Sequence, residues 1–196
     1  MKVAIACFAL SLAGFAAAQG MKMDMSRYGG PAYTGAPALT VTSAFISAGG
    51  GVGHFSSAKA LTSMLGASTV NAEVAKLSKQ YGKARVGKWL AIFDYAVADA
   101  VKIATAAKVA LPSPTLKGTE LMTTMIKAAM DKDGTVYVEL LLDKALTHGI
   151  HETVMNDIDK KFSPKDDLDF HRITNQALFD VAKALKIKDA KLAKLH

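Results

Sequence analysis

Cysteine is nearly missing from this chain. Cys7 is the only one among 196 residues, and it lies in a stretch that reads as a removable leader. A chain without thiols has no disulfide, no thiolate metal ligand and no cysteine nucleophile. It also lacks the C-x-x-C-H pattern that attaches haem covalently. Packing alone must then hold the fold, even in an oxidising compartment. Aromatic residues make up 7% of the chain, and they do not interleave with Lys and Arg as on a nucleic-acid-binding surface, which argues against that partner. Proline is scarce, standing only at positions 31, 37, 112, 114 and 164, so long stretches are free of helix breakers. Past residues 3–15, no run approaches the roughly 20 apolar residues that a membrane helix needs. The glycine run Gly49-Gly50-Gly51 follows no strand and precedes no Gly-Lys-Ser/Thr, which excludes a phosphate-cradling loop.

What is present is apolar and helix-forming. Half the residues are hydrophobic (51%), and Ala, Leu and Lys, all good helix formers, dominate. The composition predicts an all-α protein: a single compact bundle of about six to eight helices. Lys2, the apolar run 3–15 and Ala16-Ala17-Ala18 have the order of a secretory signal, with cleavage expected after Ala18. The expected location is therefore outside the cytoplasm: periplasm, cell envelope or extracellular space. Loss of Lys2 lowers the formal charge from +7 to +6. That excess is spread over helix faces, which suits weak peripheral attraction to an anionic envelope surface.

Residues 19–36 lack periodicity and read as a flexible tail. They contain Met21-Lys-Met23-Asp-Met25, and thioethers at that spacing are soft ligands that suit Cu(I). Residues 37–196 read as one helical domain, with halves 37–111 and 115–196 joined by the rigid Pro112-Ser-Pro114 break. Within the first half, the strongest amphipathic pattern runs from Lys83 to Val109, with Val86, Leu90, Phe93, Val97, Val101 and Ala104 inward and Asp94 and Asp99 expected in solvent.

The second half holds the chemistry. A turn at residues 131–134 is followed by what the pattern predicts to be one unbroken helix to Phe162. Glu139, Asp143, Thr147 and His151 then form an i, i+4 ladder on its apolar side, and His148 and Glu152 a second pair elsewhere. A carboxylate in an apolar seam is costly unless it is paired or binds something. Ser163, Pro164 and the acidic first turn start the next helix, which carries His171 on its apolar face. The short connection favours antiparallel pairing, which would bring His171 towards His151 or His148. Lys186 to His196 reads as a short Lys-rich helix or frayed end.

Two functional expectations follow. The first is a non-catalytic exported helical protein that binds a protein partner or self-associates as an assembly subunit. The second is binding of a transition metal, copper or zinc, or of haem, through His148, His151, His171, Glu139 and Asp143, with Met21, Met23 and Met25 as a separate copper contact. A hydrolase using Glu139 and Asp143 is a weaker third, since nothing in the sequence marks a cleft.

Overall fold

The structure is a computed structural model that describes residues 36–194. The leader and the methionine tail, with Met21, Met23 and Met25, lie outside the described residues. Eight helices account for the described fold: α1 (Ala36–Ala48), α2 (Ser57–Leu65), α3 (Ala67–Tyr81), α4 (Lys83–Ala106), α5 (Gly118–Ala128), α6 (Val138–Leu146), α7 (His148–Lys161) and α8 (Pro164–Ala184). The expected all-α bundle is therefore present. Among the described residues, no helix is long and apolar enough to cross a membrane.

Local chemistry sets the helix limits. Gly66 and Gly82 stand at φ 82° and 92° between successive helices, a conformation open to glycine because it has no Cβ. The Ser163 hydroxyl accepts from Asp166 N at 3.2 Å, Asp166 reaches back to the Ser163 backbone, and Pro164 follows the cap. This is a reciprocal capping box, and it fixes where α8 begins.

The two longest helices, α4 and α8, pack together through the centre. The single tryptophan, Trp89 on α4, is buried and donates from Nε1 to Thr174 Oγ1 of α8 at 2.8 Å. Phe170 of α8 is fully buried, with its ring 5.7 Å from that of Phe93. Burial of α4 is wider than its single stripe. Val86, Trp89, Ile92, Ala96, Ala100 and Ala104 are buried, while Leu90, Phe93 and Val97 pack partly covered beside them. Asp99 is buried too, contrary to the expectation of a solvated residue, because α7 packs over that flank and places Asp157 beside it. Asp94 is also engaged, accepting from Ser57 N at 2.6 Å.

Two further departures concern the second half. The expected continuous helix is two helices, α6 and α7, broken at Thr147 with φ 68° and ψ 151°. Over the described residues 186–194, the carboxyl-terminal segment forms no helix. Lys191–Leu192 (β2) pairs in parallel with Thr135–Val136 (β1), just ahead of α6, and Lys191 N donates to Gly134 O at 2.8 Å. Gly134 has φ 84°, and its Cα lies so close to the Asp189 carbonyl that a Cβ would stand 2.2 Å from that oxygen. Only glycine fits there.

Candidate functional site

Three helices deliver ionisable side chains to one seam. Glu139 lies in the first turn of α6 and Asp143 one turn later, on the same side. Thr147 ends α6, and α7 then presents His148 at its start and His151 one turn on. α8 contributes Asp167 and, one turn further, His171. Glu139, Asp143, His151, Asp167 and His171 are all buried, none more than 7% exposed. Of the other groups joined to them, the His148 and Glu152 side chains are 40% and 60% exposed.

Together these groups form an alternating chain of carboxylates and imidazoles. Starting outside, Glu152 Oε1 stands 3.3 Å from His148 Nε2. His148 Nδ1 is 2.7 Å from Asp143 Oδ1, and the same oxygen is 3.5 Å from His151 Nδ1. His151 Nε2 is 2.9 Å from Glu139 Oε2, while the other oxygen of Glu139 contacts His171 Nε2. His171 Nδ1 donates to the Asp167 carbonyl at 2.9 Å, with Asp167 Oδ1 3.4 Å away. The His151–Glu139 approach is close but is not a straight hydrogen bond. His151 Nε2 and Asp167 Oδ1 are buried without an aligned hydrogen-bond partner among the described residues.

The electrostatics follow from mutual pairing. Burial pushes Glu139 towards neutrality, but the imidazoles of His151 and His171 outweigh it and hold this carboxyl well below the usual range. Asp143 is lowered in the same way, with His151 and His148 overcoming burial. Burial alone would strip His151 of its proton, yet Asp143 and Glu139 on either side raise it to about 9. His171 is raised well above its ordinary value, Asp167 and Glu139 again outweighing burial. Near neutral pH the seam thus holds at least two buried imidazolium ions wedged between carboxylates.

The structure brings together the residues that the sequence nominates. His148, His151, His171, Glu139 and Asp143 all belong to the chain, and His171 of α8 joins His151 through the shared carboxylate of Glu139. Asp167 goes beyond that expectation. It reads as a helix-start acid, but its carbonyl and carboxylate hold the outer nitrogen of His171; the signal that finds it is its own i, i+4 spacing to His171. His148 is displaced from its expected place. On a continuous helix it would point about 140° away from Asp143, and the break at Thr147 swings it onto that carboxylate.

No group of three or more His, Cys, Asp or Glu among the described residues surrounds a point where a metal ion would sit. Glu139 occupies the space between the two inner imidazoles. An apolar hollow of about 40 Å³ lies elsewhere, lined by Val41, Phe45, Phe93, Met125, Leu142 and Phe170 among others. It is far below the several hundred Å³ that an organic ligand fills, and no histidine lines it, so it offers haem no seat. Compared with protein families, curated proteins and solved structures, the chain matches none.

Proposed function

We propose that this is an exported, non-catalytic helical protein that takes up a divalent transition-metal ion in the α6–α7–α8 seam, with His151, His171 and Glu139 as ligands. One observation carries the reading. Both inner imidazoles have Nδ1 turned to an oxygen, Asp143 Oδ1 for His151 and the Asp167 carbonyl for His171, and both carry Nε2 beside the same carboxylate. Metal-binding histidines are oriented in this way: one nitrogen is fixed by an outer acceptor, and the other is presented to the ion.

Uptake requires rearrangement, because the Glu139 carboxylate now stands between the two imidazoles. Metal–nitrogen and metal–oxygen bonds of about 2.0–2.1 Å at a tetrahedral angle place two donors about 3.3 Å apart. His151 Nε2 and Glu139 Oε2 stand at 2.9 Å, and the carboxylate must turn out from between the imidazoles before one ion can meet both. Uptake then exchanges protons for metal: each imidazole gives up its Nε2 proton, and the carboxylate pairs with the cation instead. The mixed imidazole–carboxylate donor set suits zinc or copper(II). The wider expectation of a protein partner rests on the abundance of helical surface and has no comparable constellation behind it.

Zinc is the discriminating probe, because the methionine tail favours Cu(I). Calorimetric titration of chelator-treated protein with zinc should give one tight site per chain. His171→Ala and Glu139→Gln should abolish it, and Asp143→Asn should weaken it about 10- to 100-fold, as loss of an outer acceptor does. A wild-type protein that takes up neither zinc nor copper(II) would sink the reading.

A further inference from the structure

Lysines recur along most of the helices, but the net charge is not evenly shared. Two segments, 123–134 and 183–194, hold seven lysines against three aspartates, a local excess of +4. The whole chain carries +7, so the other 172 residues share +3. The fold sets the two segments side by side. Lys191 N donates to Gly134 O at 2.8 Å, and the end of α5 faces the chain leaving α8 across a groove of about 560 Å³. Lys127, Lys186 and Lys188 line it together with Met130, Leu185 and Ile187. We propose that this groove binds a phosphomonoester carried on an apolar body, held by the three ammonium groups and the apolar wall. The site shares no residue with the α6–α7–α8 seam and does not depend on it.

Its volume falls within the roughly 300–1,000 Å³ of small-molecule pockets. The cations in it are uncompensated. Among the described residues, none of the three lysines takes part in an ion pair, and all three are exposed. The acid in the wall, Asp131, is committed to its own turn: its Oδ1 accepts from Asp133 N and from Thr135 N, both at 2.8 Å. Three like charges around one groove repel each other, and a multiply charged anion relieves that repulsion.

The helix ends do not oppose an anion here. α5 and α8 both close at the groove with their carboxyl ends, where the dipole is negative, but the carbonyls concerned are already engaged. Lys127 O accepts from Met130 N at 3.4 Å, Lys183 O from Lys186 N at 3.0 Å and Ala182 O from Ile187 N at 2.9 Å. The last two bonds form the fold-back that ends α8, with Lys186 at φ 56°. The chain then runs on to place Lys188 on the same wall.

The kind of anion follows from the donors. Lysine is a compact point charge, whereas the planar fork of arginine matches a carboxylate, and the lining has lysines and no arginine. A phosphomonoester carries about 1.5 to 2 negative charges near pH 7, which suits three ammonium groups better than the single charge of a carboxylate. Met130, Leu185 and Ile187 are half-buried and give an apolar body a surface to lie on beside the phosphate.

The test is calorimetric titration of the purified chain with hexyl phosphate, hexanoate and inorganic phosphate. Hexyl phosphate should bind at one site per chain, about tenfold tighter than either of the others. Lys127→Gln combined with Lys188→Gln should weaken it about tenfold, the scale of two exposed ion pairs. Lys79→Gln combined with Lys83→Gln removes the same charge from exposed positions outside the groove, and should change the affinity by less than about twofold. Circular dichroism checks folding, and Lys127→Gln alone decides if the double variant unfolds. No binding of hexyl phosphate overturns the proposal. Equal weakening by both pairs also overturns it, since that is attraction to net charge, and so does hexanoate or inorganic phosphate binding as tightly as hexyl phosphate. Co-sedimentation with phosphatidylcholine vesicles containing phosphatidic acid distinguishes the sources. Capture that is lost with Lys127→Gln and Lys188→Gln upholds the site with a lipid phosphate, and hexyl phosphate binding without capture upholds it with a soluble phosphoester.

Discussion

Raising the pH of the metal-free protein should unfasten it from within. His151 is held at about 9 in the fold against an ordinary 6.5. Between those values the folded chain keeps a proton that the unfolded chain has released. Stability therefore falls as pH rises, by about 1.4 kcal/mol per unit for one such group. This contribution is whole below about pH 6.5 and is lost by the time pH has passed through 9. Over the full window the loss is about 3 kcal/mol from His151 alone, and solvent screening does not reduce it much because His151 is only 4% exposed. His171, raised for the same reason, adds a loss of the same sign. A loss of about 3 kcal/mol is a large fraction of the 5–15 kcal/mol that holds a typical domain together. The assay is urea unfolding followed by far-ultraviolet circular dichroism, with a chelator present, at steps between about pH 7 and pH 9.5. His151→Gln should be less stable at neutral pH, yet its stability should decline less steeply. A wild-type curve that is flat or rising across that window would refute the claim that carboxylates keep these imidazoles charged.

Thr147→Gly should relieve the backbone strain at the α6–α7 break and raise stability by about 1 kcal/mol, measured as an increased urea midpoint at unchanged slope; a loss would mean that Thr147 is not strained. Glu73→Gln addresses a second carboxyl pair, between α3 and α8. Burial and the neighbouring Asp180 raise Glu73 to about 7, with Lys76 opposing. The folded state therefore holds an extra proton between about 4.5 and 7, and wild-type stability should decline through that range as pH rises. The amide cannot ionise, so thermal melts should show the variant gaining on wild type from pH 5 to pH 8. A variant whose stability relative to wild type stays constant or falls over that range would count against the shared proton.

Much of this architecture can be read from residue spacing. The Ser163–Pro164 start places α8 after a short connection, and His171 meets His151 through Glu139. Of the i, i+4 ladder Glu139, Asp143, Thr147 and His151, only the first step survives as drawn, because Glu139 and Asp143 fall within α6 while Thr147 breaks the helix. The break at Thr147 was not legible. A β-branched residue gives no local signal for positive φ, and the nearest glycine, Gly149, sits inside α7 rather than at the turn. Asp99 was misjudged because a single stripe understates a central helix; α4 is covered on more than one flank, and its acidic position falls under α7. The pairing of Lys191–Leu192 with Thr135–Val136 was equally hidden, since two residues joined across more than fifty carry no periodicity.

The placement of Trp89 makes the protein its own gauge. The indole donates to the Thr174 hydroxyl, which in turn donates to the carbonyl of Phe170, immediately before His171 on the same helix. Any displacement of α8 that accompanies the filling or emptying of the seam is transmitted to the sole indole in the chain. Intrinsic fluorescence would therefore report such a displacement, with no label attached and no competing chromophore of its kind.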